Sequence, residues 1–172
     1  MDKLKMDDDV RALVLELKAM ADKLRAKGLD DDDLQDLLLT KDEKGIVLYT
    51  DGRVSLLDYG KKVKFSPMER ALYTLILKYV DGITGDDLWK YYDELVGIYG
   101  RMARFEDAVV VGDAIDTLLD DSRVTLYSNL SRIKKKITDA AGAAAARKYA
   151  ILRGKDNAYR IAAPRDLISG SF

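Results

Sequence analysis

The chain has 172 residues, 48% of them hydrophobic and 34% charged, with a formal net charge of −1. That composition suits one domain with an appendage, or two small domains. The chain contains no cysteine and no histidine. Disulfides, thiolate catalysis and Cys-based zinc sites are excluded, as is the commonest general base.

The small net charge hides a segregation. Residues 1–121 carry 18 Lys and Arg against 27 Asp and Glu, whereas residues 122–165 carry 11 against 2. An acidic part and a basic part are expected to meet different partners. The longest apolar runs, "ALYTLILKYV" and "AVVVGDAI", are too short and interrupted to span a bilayer. The N-terminal residues lack the apolar core of a signal peptide. A cytoplasmic location without membrane contact is the expectation.

The N-terminal residues Met6, Val10, Leu13, Leu17, Met20 and Leu24 recur at spacings of four and three. This a/d stripe predicts a helix that Gly28 ends. Val10, Leu13, Leu17, Met20 and Leu24 could form a homodimer contact. The same face could equally lie on the protein's own domain. "LDDDDLQDLLLT" then predicts a second helix, with aspartates at its positive end rather than in a calcium loop, because the order of ligands is wrong. Residues 1–44 are read as this N-terminal helical segment.

Strand signals follow. "GIVLYT" and "RVSLLD" flank the turn pair Asp51-Gly52, and "KVKF" supplies a third short strand. Ser66, Pro67 and Glu69 then form a helix-start signature, and Gly82 stops that helix. A second helix is predicted through "GDDLWKYYDELVGIYGRM", a third within "FEDAVVVGDAIDTLLDD", and a fourth from Ser122 or Asp121 as its cap. Alanine permits helix in "AAGAAAAR", although Gly142 weakens it. "KYAILRGKDNAYRIA" reads as a terminal hairpin.

The fourth helix contains "LYSNLSRIKKKI". Leu126, Leu130, Ile133 and Ile137 make one apolar stripe. Half a turn away stand Ser128, Ser131, Arg132 and Lys135, flanked by Thr125, Asn129 and Lys136. A helix that reads the major groove needs these residue types. Arg and Lys bridge guanine acceptors, Asn pairs with adenine, and Ser and Thr take phosphates or base edges. The alternative is a solvated face, since lysines near a helix C-terminus are favoured by the macrodipole alone.

The order of these segments resembles the OmpR/PhoB-type winged-helix effector domain, over roughly residues 46–92 and 122–162. "FSPMERALYTLIL" is similar to that family's first helix start, "DGITGDDLW" to its turn into the second helix, "SRVTLYSNLSRIKKKI" to its recognition helix and "YAILRGKDNAYRIA" to its wing. The resemblance implies an α+β, mainly helical fold: a winged helix-turn-helix with an N-terminal strand meander and a C-terminal β-hairpin wing, preceded by N-terminal helices. It implies a transcription-regulator-like protein that binds duplex DNA; no cofactor and no enzymatic activity are expected. The fourth helix would enter the major groove. The family pattern selects Asn129, Arg132 and Lys134, with Thr125 near the helix start. Helical geometry puts Lys134 toward the side. In the wing the resemblance implies minor-groove or phosphate contacts from Arg153 and Tyr159, and Lys155, at the hairpin tip, is a further candidate DNA contact. The chain departs from the family at residues 93–121, which stand where a short loop is usual and read as a helical insert. That insert is a candidate protein-partner surface within a domain spanning residues 45–172. Residues 1–45 are too few for a phospho-acceptor domain. A winged-helix interaction module that does not bind DNA is the alternative.

Adjacent acids such as Asp93/Glu94 diverge on a helix and read as solvated faces. No phosphate loop, dinucleotide fingerprint or nucleophile elbow occurs. Trp89, Tyr91, Tyr92 and Tyr99 are expected to serve as core or interface, with a ligand pocket as the weaker option.

Overall fold

A computed structural model describes residues 8–38, 44–104 and 107–170, so Met6 of the N-terminal stripe lies outside the described residues. The chain divides into two compact units, Met1–Lys41 and Asp42–Phe172. The fold is α+β and mainly helical, with two small sheets. Among the described residues no helix is long and apolar enough to cross a membrane.

The first unit consists of α1 (Asp8–Ala26) and α2 (Asp31–Leu38). The α1 helix closes at Gly28, whose N–H reaches the Arg25 carbonyl at 2.9 Å. The aspartate run starts α2 as a reciprocal cap. The Asp33 N–H donates to Asp30 Oδ1 at 2.8 Å, and the Asp30 N–H donates to Asp33 Oδ2 at 3.0 Å.

The second unit opens with the expected meander: β1 (Ile46–Leu48), β2 (Arg53–Leu56) and β3 (Lys61–Lys64), paired antiparallel. Ile46, Leu48, Val54 and Leu56 all face the core. The last strand of the chain, β7 (Ile168–Gly170), adds to β1 in parallel, with Ile46 opposite Ile168. Close backbone approach enforces glycine here. A Cβ on Gly45 would lie 1.8 Å from the Leu167 carbonyl oxygen.

The capping box is present at α3 (Pro67–Lys78). Ser66 Oγ accepts from the Glu69 N–H at 3.3 Å, and the Ser66 N–H donates to Glu69 Oε2 at 2.8 Å. Residues 69–77 of α3 are all buried, so this helix is the centre of the unit. Tyr73 at its middle donates its hydroxyl to the Tyr149 carbonyl at 2.6 Å. The turn Leu88–Tyr91 and α4 (Tyr92–Ala103) follow, then α5 (Ala108–Leu118), capped by Asp107. Both helices of the insert belong to the core. Leu95, Ile98, Val111, Ile115 and Leu118 are buried, α4 packs on α3, and α5 packs on α4 and α6.

In the helix α6 (Val124–Tyr149) the N-cap position falls on Arg123, one residue after the expected Ser122 or Asp121, and the Arg123 side chain makes no cap bond. Arg123 takes the left-handed conformation at φ 55°, while Ser122 Oγ accepts from the Val124 N–H at 3.4 Å and Asp120 accepts from the Arg123 N–H at 3.0 Å. Helix also covers the alanine tract, but Gly142 breaks it at φ 90°, ψ 175°, a conformation that alanine resists. The terminal hairpin is β5 (Ile151–Arg153) and β6 (Ala158–Ile161), with Arg153 opposite Tyr159. The two-residue strand β4 (Ile83–Thr84) pairs with β6 and makes this a three-stranded sheet.

Candidate nucleic-acid interface

The helix α6 carries three stripes at spacings of four and three. The first is the expected apolar seam. Leu126, Ile133 and Ile137 are buried and Leu130 is half-buried. The second turns back to the protein body and holds Thr125, Asn129 and Lys136. Asn129 is only 5% exposed, and its side-chain N–H is committed to the Thr125 carbonyl at 2.8 Å. Asn129 therefore cannot pair with a base edge, contrary to expectation, because its position is too close to the apolar seam. Lys136 is spent as well. Its ammonium donates to the buried carboxylate of Glu69 at 2.6 Å and to the Lys64 carbonyl at 3.1 Å. It secures α6 to the start of α3.

The outward part of the helix presents Ser131, Arg132, Lys134 and Lys135, all exposed, with Ser128 half-buried and Tyr127 exposed. Lys135 pairs with Asp139 at 2.6 Å, one turn on. Among the described residues no carboxylate pairs with Arg132 or Lys134.

Tyr127, Ser131 and Lys134 form the third stripe, facing the terminal hairpin. They and Leu130 make one wall of an open groove of about 370 Å³, and Leu152, Arg153 and Tyr159 contribute to the other. The sideways placement of Lys134 is thus a placement toward Arg153. Every ionisable group on the groove lining is a cation or a phenol. Tyr159 is 4% exposed, so it supports the groove from beneath and does not reach outward. Burial pushes its phenol up from the ordinary value, with the neighbouring Tyr127 acting in the same direction.

Arg153 and Lys155 are exposed on the hairpin. The hairpin tip is ordered by its own bonds. The Gly154 N–H reaches the Ala158 carbonyl at 2.8 Å, Asn157 takes φ 63°, and Asp156 accepts from both terminal guanidinium nitrogens of Arg160, Nη1 at 2.9 Å and Nη2, while Arg160 Nε donates to the Asp81 carbonyl at 2.7 Å. Arg160 holds the Asp156 carboxyl down to about 2.

Acids gather at the other end of α6. Arg123 pairs with Asp86, and Asp120 and Asp121 are exposed in the preceding turn. The Asp86 carboxylate raises the Arg123 guanidinium further above its ordinary value. These carboxylates complement the helix dipole.

Tyr127 is the groove residue that the recognition-helix pattern does not select. Its signal is the third stripe, Tyr127–Ser131–Lys134, at spacings of four and three beside the apolar one. The aromatic cluster divides: Tyr91 packs on Tyr79 with centroids 4.5 Å apart, while Trp89 stacks on Tyr92 at 5.9 Å and stays 49% exposed.

In the first unit Val10, Leu13, Leu17 and Met20 are exposed along α1, and Leu24 is half-buried. The chain matches no family model, no curated protein and no solved structure.

Proposed function

We propose that the second unit is a winged-helix domain that binds duplex DNA as part of a transcription-regulator-like, non-enzymatic protein. In this reading α6 enters the major groove, and the β5–β6 hairpin is the wing on the backbone or minor groove. The observation that carries it is the groove between Lys134 and Arg153, two cations on separate elements with no carboxylate on the lining between them. A phosphate strand seated there meets both charges, and Arg132 on the adjacent face is free to address base edges. The helix α5, directly before α6, takes the positioning role in the helix-turn-helix. Binding of the full chain to random-sequence duplex DNA over a salt series tests the reading.

A second reading rests on a different surface. Trp89, Val109 and Val110 are exposed on and beside the two helices of residues 93–121, and Asp86, Asp120 and Asp121 are close to them in sequence. That mixture of apolar and acidic groups suits a protein partner. The exposed α1 stripe supports self-association as a homodimer.

A further inference from the structure

The turn Leu88–Tyr91, the start of α4 and α5 carry an aromatic pair that the core does not absorb. Trp89 stacks on Tyr92 with ring planes 10° apart, and about half of the indole remains in water. The Tyr92 ring reaches across to α5, where a Cβ on Gly112 would lie 3.5 Å from its hydroxyl. Val109, Asp113 and Asp116 stand at helical spacing on that same side of α5. Val109 and its neighbour Val110 are exposed.

Carboxylates surround this pair. Asp116 accepts from the Tyr92 hydroxyl and raises that phenol above its ordinary value, with burial and the charges of Asp93 and Asp113 acting in the same direction. Asp93, Asp113 and Asp116 are exposed, and among the described residues no Lys or Arg pairs with them. The cations beside Trp89 are already spent, Lys90 on Asp87 at 2.6 Å and Arg123 on Asp86. Residues 81–121 hold three Lys and Arg against eleven Asp and Glu. Among the described residues no three carboxylates converge as a metal site. The negative charge is therefore spread around the rings and not focused on one point.

An aromatic face, tryptophan above all, attracts a cation through its ring quadrupole. A guanidinium suits this surface better than an ammonium, because it stacks flat on a ring while its edge bonds a carboxylate. The hollow between Trp89, Asp86 and Asp121 holds about 160 Å³. That is below the roughly 300 Å³ at which small-molecule sites begin, and suits a single side chain. Duplex DNA is repelled from such a face.

We propose that the Trp89–Tyr92 pair docks an arginine of a basic segment on a protein partner, with Asp93, Asp113 and Asp116 answering its charge and Val109 and Val110 its aliphatic neighbours. The inference names the chemistry of the partner in the second reading above and rests on that reading, not on DNA binding.

Trp89 is the single tryptophan of the chain, so its emission reports this surface alone. The test titrates the full chain with a short amidated peptide of alternating arginine and leucine, and separately with the same peptide carrying neutral citrulline for arginine. A saturable change in Trp89 emission is expected with the arginine peptide, and binding at least about tenfold weaker with citrulline. Asp93→Asn/Asp113→Asn, both surface positions, is expected to weaken the arginine peptide about tenfold. Lys134→Ala/Arg153→Ala should leave it unchanged, so this proposal and DNA binding fail separately. Equal binding of the citrulline peptide would overturn the arginine site while leaving a protein-docking surface. No saturable change with either peptide would remove both. Trp89 emission that follows protein concentration together with a dimeric mass in ultracentrifugation would also overturn the proposal, because a second copy would then cover the face.

Discussion

The ammonium of Lys136 lies 2.6 Å from the carboxylate of Glu69, a side chain that is only 2% exposed and that also closes the capping box of α3. One lysine of the "KKK" run is thereby a structural strut between two helices. Removing it strands a buried carboxylate. Lys136→Ala is expected to lower stability by about 1–2 kcal/mol, reduced from the fully buried case because the lysine itself is partly in water. Urea unfolding of this variant beside Lys134→Ala checks it. Lys134→Ala should leave the midpoint within about 0.5 kcal/mol of wild type.

Asn129 and Arg132 stand one turn apart and separate the same way. Asn129→Ala removes a buried amide bonded to the Thr125 carbonyl and should cost about 1–2 kcal/mol in stability. Arg132→Ala should leave stability unchanged and weaken duplex binding about tenfold, or roughly 1.4 kcal/mol. Equal DNA affinity in Arg132→Ala and wild type would show that another surface reads the duplex.

Gly142 holds φ 90° in the middle of α6, with open space where a Cβ would go. Strain, not collision, is what a substitution meets there. Gly142→Ala is expected to cost about 1–2 kcal/mol, seen as a lower unfolding midpoint. The loss should extend to the Tyr73–Tyr149 bond, because the segment after the break positions the Tyr149 carbonyl.

Acid should destabilise the fold in a defined window. At Asp58, burial works against the charged form. The Tyr149 hydroxyl, the backbone N–H groups of Lys44 and Gly45 and the Lys148 ammonium outweigh it, so the carboxyl is held low. Asp156 is held down to about 2 by Arg160. Both folded values lie below the unfolded one, so the unfolded chain binds protons first as pH falls. The stabilisation is complete above the ordinary carboxylate value of about 4 and is lost as pH falls through the lowered folded values, about 2 at Asp156. Unfolding midpoints from pH 7 to pH 2 should be flat and then fall, and Asp58→Asn should make the fall shallower.

The α1 stripe makes a prediction about mass. Leu17 is exposed at the middle of the a/d pattern. Leu17→Asp places a charge in the seam of any helix pair and is expected to give monomers in analytical ultracentrifugation where the wild type gives dimers. A wild-type monomer would remove the homodimer.

Local signals made much of this legible. The Asp51-Gly52 turn, the Ser66–Glu69 box and the four-and-three seam of α6 each act within a few residues, and each appears where the sequence places it. What escaped depends on distance along the chain. The strand β7 is three residues, "ISG", and pairs with β1 only because Gly45 lets the backbones approach. The strand β4 is two residues long and is defined by its partner β6. Asn129 looked available because residue type suggested adenine, whereas its angle from the seam decided its burial. Lys136 looked like one cation of three until Glu69, distant in sequence, was brought beneath it.

The central claim is that duplex DNA occupies the face formed by α6 and the β5–β6 hairpin. Its most direct test is the affinity of the full chain for random duplex DNA as salt is varied. Arg132, Lys134, Lys135, Arg153 and Lys155 are the exposed cations of that face. If all five neutralise phosphates, the slope of log K against log salt should be about −4 to −5, and Lys134→Ala/Arg153→Ala should reduce its magnitude by about 2. No salt-sensitive binding at low ionic strength, or an unchanged slope in the double variant, would contradict the claim.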